Sequence, residues 1–166
     1  MLPLRQIIPP VTLRAADGRT VRAWDFKQKR ALVIAFLHGD CATCREYVAA
    51  LAAAAPQLQD QDATALAVFP GTPDARVPNL PANIVVGTDL TGSALRAYLG
   101  KQAIDRSSGQ MGAGVFITDR YGELFAQWPA EDGDSAPPRA GVGAHVPLPA
   151  VTDLLGWLAH IQMACG

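Results

Sequence analysis

Residues 31–37, Ala31-Leu32-Val33-Ile34-Ala35-Phe36-Leu37, form an unbroken apolar run between Lys27-Gln28-Lys29-Arg30 and His38-Gly39-Asp40. The run is far short of the roughly 18 apolar residues that a membrane span needs. Its branched and aromatic side chains favour a strand. A strand with one wet face alternates apolar and polar residues, and this one has no polar position. It must be covered on both faces, so the chain has to supply a sheet with packing elements on two sides.

The rest of the chain offers those elements. Val11-Thr12-Leu13-Arg14 and Thr20-Val21-Arg22-Ala23-Trp24 alternate around Asp17-Gly18, the pattern of a β-hairpin. Val48, Leu51, Ala52, Ala55 and Leu58 recur with helical period, and Pro56 ends or kinks that helix. Thr64–Phe69 reads as a second strand, and Asn83–Val86 as a short extended segment. Ser93–Leu99 reads as a helix stopped by Gly100. Val115–Thr118 and Glu123–Trp128 read as strands joined by the turn Asp119-Arg120-Tyr121-Gly122. The stretch Pro129–Pro149 carries no period, and Val151, Leu154, Leu155, Leu158 and Ile161, with Trp157 nearby, mark a terminal amphipathic helix. The order hairpin, β, α, β, α, β, β, α predicts an α/β fold: a mixed central sheet with helices on both faces and an N-terminal β-hairpin. Without internal repeat or linker, residues 1–166 read as one domain.

Composition narrows the function classes. Apolar residues at 49% and charged residues at 17% exclude disorder along most of the length. Fourteen Lys and Arg against 15 Asp and Glu give a net charge of −1, so neither nucleic acid nor an anionic membrane is expected as a partner. Met1-Leu2-Pro3-Leu4-Arg5-Gln6 has no signal-peptide n-region and h-region, and the expected location is the cytoplasm.

Three cysteines are too few for a disulfide framework. Cys41 and Cys44 form a C-x-x-C directly after the buried strand, with Asp40 placed to cap the helix that follows. Unpaired N–H groups and the positive dipole end of a helix favour the thiolate, the reactive form of cysteine. An i, i+3 spacing puts both sulfurs on one turn, where they can close a disulfide ring. One sulfur can attack a partner's disulfide while the other resolves the mixed intermediate. Two other readings of the pair stay open: an inactive dithiol, and a structural metal site with His38, for which no second C-x-x-C or H-x-x-x-H completes the ligand set.

The segment Asp17-Gly18-Arg19, Ala31–Phe36 and Cys41-Ala42-Thr43-Cys44-Arg45-Glu46 resembles the thioredoxin-like superfamily. Its nearest match there is the redoxin branch, which holds the peroxiredoxins (the alkyl hydroperoxide reductase and thiol-specific antioxidant group) and the TlpA/ResA-like thiol–disulfide oxidoreductases. Val115–Thr118 and the Asp119–Gly122 turn look like that branch's later strand and turn. The resemblance implies a thioredoxin-like fold with Cys41 as the exposed attacking thiol and Cys44 as the resolving one. The expected activity is thiol–disulfide exchange without a bound cofactor or metal, on a protein or small-molecule disulfide, with a reducing thiol partner. The alternatives are a peroxiredoxin-like peroxidase acting on peroxide, or a catalytically weak binding or regulatory module.

The chain departs from these patterns at named positions. Asp40 stands where thioredoxin-type sites carry Trp, and Ala113 or Gly114 where they carry a cis-proline. With Cys44 as peroxidatic thiol, the peroxiredoxin pattern P-x-x-x-T-x-x-C places Leu37 at its Pro and Cys41 at its Thr. Arg45 either serves as the activating arginine or belongs to a solvated helix face. Asp40 reads first as a cap, His38 as a polar loop residue and Cys165 as a terminal bystander thiol. Trp24 and Trp128 read as core or strand-packing aromatics, and His145 has no partner that the sequence identifies.

Overall fold

The apolar run forms the strand at the heart of a seven-stranded sheet, in a computed structural model that describes residues 2–37, 42–70, 80–100, 113–128 and 148–165. In chain order the strands are β1 (Thr12–Ala15), β2 (Thr20–Arg22), β3 (Ala31–Phe36), β4 (Ala63–Phe69), β5 (Ile84–Thr88), β6 (Gly114–Thr118) and β7 (Leu124–Trp128). The helices are α1 (Ala42–Ala53), α2 (Ala55–Asp60), α3 (Ser93–Leu99) and α4 (Val151–Cys165). The strands lie in the order β2-β1-β5-β4-β3-β6-β7. β3, β4 and β5 run parallel, and the remaining pairings are antiparallel.

All six residues of β3 are buried, and they alternate between two cores. Leu32, Ile34 and Phe36 point to one face, where they share a core with Leu95, Tyr98 and Leu99 of α3. The rings of Phe36, Tyr98 and Phe116 meet there with centroids 4.9–5.8 Å apart. Val33 and Ala35 point to the other face, against Val48, Leu51 and Leu58 of α1 and α2 and Leu154, Leu158 and Ile161 of α4. Helices therefore cover both faces, as the absence of polar positions in β3 requires.

Pro56 acts as both terminator and initiator. The Ala54 N–H is shared between the carbonyls of Ala50 and Leu51 (3.1 Å each), and Pro56 then occupies the first turn of α2, where its missing N–H costs nothing. One strand expectation is corrected. The alternation of Thr20–Trp24 ends at Arg22, and Ala23–Phe26 form a 3₁₀ turn. The Ala23 N–H makes the last rung to Val11 O (3.0 Å), and the Asp25 carboxylate then accepts the Arg22 N–H (3.0 Å) and bends the chain away. Trp24 is consequently 70% exposed, with Lys27 Nζ 4.1 Å from its ring centroid, and is no core residue. Among the described residues no helix is long and apolar enough to cross a membrane.

Strand register fixes two poles. Phe36 lies beside Val68 and Gly114, and Val115 beside Trp128, so the end of β3, the end of β4 and the start of β6 share one pole. The helix that carries Cys44 follows β3 at this pole. Thr118 pairs with Leu32, which puts the Asp119–Gly122 turn at the opposite pole.

Candidate active site

Cys44 sits in the first turn of described α1 and is 2% exposed. It extends the apolar stripe one step back, four residues before Val48, and joins the core that holds Leu37, Val48 and Leu51. The residue between these steps, Tyr47, was not singled out by sequence reasoning. Its hydroxyl donates to Pro149 O at 2.9 Å, and burial, aided by the Asp153 charge, raises the phenol's pKa far above its ordinary value. This bond ties the helix of Cys44 to the entry of α4, so the C-terminal helix helps hold the thiol's position. A Tyr one turn after the motif was the available signal, but its acceptor is remote in sequence.

Gly114 shapes the neighbouring edge. An added Cβ would lie 2.7 Å from Trp128 O and 2.7 Å from Leu99 Cδ2, so β6 can start beside Phe36 only without a side chain there. The register puts Gly114 at the start of the strand next to β3, with Ala113 just before it, and these are the two positions that stand where a proline was sought. Trp128, half-buried, packs against the core shared by α1 and α4, in keeping with a packing role.

The other candidates are dispersed. Arg45 is exposed on α1, on the solvated helix face. Leu37 is 1% exposed and its N–H donates to Val68 O at 2.9 Å. Cys165 ends α4, which starts beside Tyr47 and reaches the far pole, where Gln162 Nε2 donates to Gln61 O at 2.7 Å. At about 1.5 Å per residue, a helix of that length carries the Cys165 backbone about 20 Å from the pole where Cys44 lies. The Asp119 carboxylate accepts the N–H groups of Tyr121 (2.8 Å) and Glu123 (2.9 Å) and organises a turn at the pole opposite Cys44. Cys41, His38, Asp40 and His145 lie outside the described residues, and so does any metal site built on them. Among the described residues no three His, Cys, Asp or Glu side chains group as metal ligands.

The chain is similar to Mycobacterium tuberculosis AhpC, with TM-score 0.71, 17% identity, and 98% of this chain and 94% of that one covered. It is similar to the reduced 2-Cys peroxiredoxin of Plasmodium vivax, with TM-score 0.69, 14% identity and 97% of each chain covered. A protein described as thiol:disulfide interchange protein DsbE from Chlorobium tepidum matches with TM-score 0.64 and 19% identity, over 99% of this chain and 98% of that one. At these identities the likeness shows the fold, which is thioredoxin-like. No curated protein sequence matches the chain. The sequence model of the AhpC/TSA family matches residues 4–125, from the N-terminal segment through the start of β7. The chain therefore belongs to the AhpC/TSA family, a thiol-dependent oxidoreductase on a thioredoxin-like fold.

Proposed function

We propose that residues 1–166 form one domain that catalyses thiol–disulfide exchange through Cys41 and Cys44. The Cys41 thiolate attacks one sulfur of a substrate disulfide, forming a mixed disulfide and expelling the other sulfur as a thiolate that takes up a proton. Cys44, deprotonated, then attacks Cys41 Sγ, closes the intramolecular disulfide and releases the second substrate thiol. The substrate is reduced by two electrons, and the Cys41–Cys44 pair is oxidised by two. An external reducing thiol returns the pair to the dithiol, and the reducing cytoplasm is the compartment that supplies one. No cofactor takes part.

The observation that carries this reading is the burial of Cys44, 2% exposed one turn into α1. A resolving thiol needs to reach only its neighbour on the same turn, whereas an attacking thiol must meet a substrate. A side chain this enclosed is poorly placed to receive a protein disulfide, which supports the attacking role for Cys41, three residues earlier. The exposed Arg45 and the buried Leu37 give no support to a peroxide site around Cys44.

The family match favours a second reading, reduction of a hydroperoxide ROOH to ROH and water, with the same pair oxidised to the disulfide. Hydrogen-bond donors aimed at the peroxide oxygens lower that barrier, and one missing donor of this kind costs roughly 10²–10³ in rate. Stopped-flow peroxide consumption and insulin-type disulfide reduction, run on one preparation, separate the readings. Exchange that outpaces peroxide turnover supports the dithiol mechanism, and fast peroxide turnover with negligible exchange replaces it with the peroxidase. Negligible rates in both assays make the chain a binding or regulatory module.

A further inference from the structure

At the pole opposite Cys44, the 3₁₀ turn, the N-terminal segment and the Asp119–Gly122 turn enclose a cavity of about 320 Å³. Its floor and walls are apolar, with Ile8, Val11, Phe26, Leu32, Trp24 and Tyr121 among them. A cleft of this size and lining lies at the small end of the range for small-molecule sites. We propose that it binds a small planar aromatic carboxylate.

Charge sets the sign of the ligand. Arg22, Lys27, Arg30 and Arg120 line the cavity against a single acid, Asp119, in a chain whose net charge is −1. Asp119 is 2% exposed, and its carboxylate accepts the N–H groups of Tyr121 and Glu123 within its own turn. Four carbonyls of the wall are engaged as well. Pro9 O accepts the Tyr98 hydroxyl (2.6 Å), Val11 O the Ala23 N–H (3.0 Å), Arg120 O the Gln28 N–H (2.6 Å) and Gly122 O the Ile8 N–H (2.9 Å). Arg30 also donates to Gln59 Oε1 (3.0 Å), and the Arg120 guanidinium lies 5.1 Å from the Tyr121 ring centroid, so the sign of the site rests on four cations set against one acid. A ligand that accepts hydrogen bonds fits, and a donor or cation does not.

The aromatic body follows from Trp24. A tryptophan 70% exposed beside a cavity offers it an apolar wall, and Lys27 Nζ lies 4.1 Å from the ring centroid. That ammonium already uses the ring's negative face and would repel a second cation, which excludes an aromatic cage for quaternary ammonium groups. It also puts a positive charge next to a flat apolar surface. One molecule carrying a ring and a carboxylate satisfies both. The site owes nothing to Cys41 or Cys44, so its ligand is separate from the redox substrate.

Titration of the full chain with 2-naphthoate, followed by tryptophan fluorescence and amide chemical shifts, tests the proposal, with 2-naphthamide as the uncharged control. A charge-assisted hydrogen bond exceeds a neutral one by about 1 kcal/mol or slightly more, so the carboxylate should bind about tenfold tighter than the amide. Lys27→Gln should remove most of that preference, Trp24→Ala should weaken both ligands, and the Cys41→Ser/Cys44→Ser double variant should bind as the parent does. Shifts should cluster at residues 7–12, 22–30 and 119–122. Equal affinity for acid and amide, unchanged binding in Trp24→Ala, or absence of saturable binding would each overturn the proposal. So would a concentration-dependent dimer in sedimentation velocity that Trp24→Ala dissociates, because the face would then belong to a second copy of the chain.

Discussion

Replacing Gly114 by alanine puts a methyl group 2.7 Å from the carbonyl oxygen of Trp128 and 2.7 Å from Leu99 Cδ2. The leucine end can rotate away, but Trp128 O belongs to the β6–β7 ladder and moves only with the strand. The contact is about 0.7 Å short of an ordinary 3.4 Å approach, so the two strands must part at the pole that holds Cys44. Overpacking of this kind costs about 1–3 kcal/mol, and at about 2–4 °C per kcal/mol for a domain of this size Tm falls by several degrees. Gly156 supplies the contrast. It is exposed within α4, and an added Cβ meets nothing within 4 Å. There the same substitution removes only the conformational freedom of glycine and stabilises by about 0.5–1 kcal/mol. Urea unfolding of both variants, with the slope held constant, measures the pair. A Gly114→Ala midpoint equal to that of the parent would refute the close approach of β6 to β7, and a Gly156→Ala loss would refute the open face of α4.

Three further outcomes are expected. Cys44→Ser should accumulate a mixed disulfide with substrate, seen by intact mass, whereas Cys41→Ser should lose exchange; reaction of Cys44 with peroxide in the Cys41→Ser variant would instead establish the peroxidase. Tyr47→Phe leaves the buried Pro149 carbonyl without its hydroxyl donor and should cost about 1–3 kcal/mol in urea unfolding, so a neutral result would deny the link between α1 and α4. Burial raises the pKa of Tyr47 and Tyr98 above the ordinary value, so the folded protein keeps both protons after the unfolded chain has begun to lose them near about pH 10. Their contribution to stability is complete below that pH and falls as pH rises above it; absorbance at 295 nm, with the Phe variants for assignment, should show both phenols ionising only on unfolding.

The core strands were legible because burial on both faces leaves an apolar run, without any polar position in Ala31–Phe36 and with Thr64 alone in Ala63–Phe69. The burial of Cys44 was legible in part, since it lies four residues before Val48 on the apolar stripe. Trp24 misled because alternation continued past the point where Asp25 turned the chain, and side-chain capping of that kind overrides a two-residue period. Tyr47 and Gly114 were silent for another reason. Their roles depend on Pro149 and on Trp128 with Leu99, partners that only the assembled sheet and helices bring near. Sheet order was equally hidden, because pairing β1 with β5 joins segments whose separation no local pattern encodes.

The disulfide itself is open to a direct measurement. Cleavage at Arg30 and Arg45 releases residues 31–45, a single peptide that carries both Cys41 and Cys44, while Cys165 falls in the C-terminal peptide. After mild oxidation, alkylation of remaining thiols and digestion without reductant, the dithiol mechanism predicts a 31–45 peptide that is unalkylated and lighter by two hydrogens, with the mass of the reduced peptide restored by dithiothreitol. A 31–45 peptide alkylated at both cysteines, carrying added oxygen, or linked to the peptide of Cys165 would contradict it.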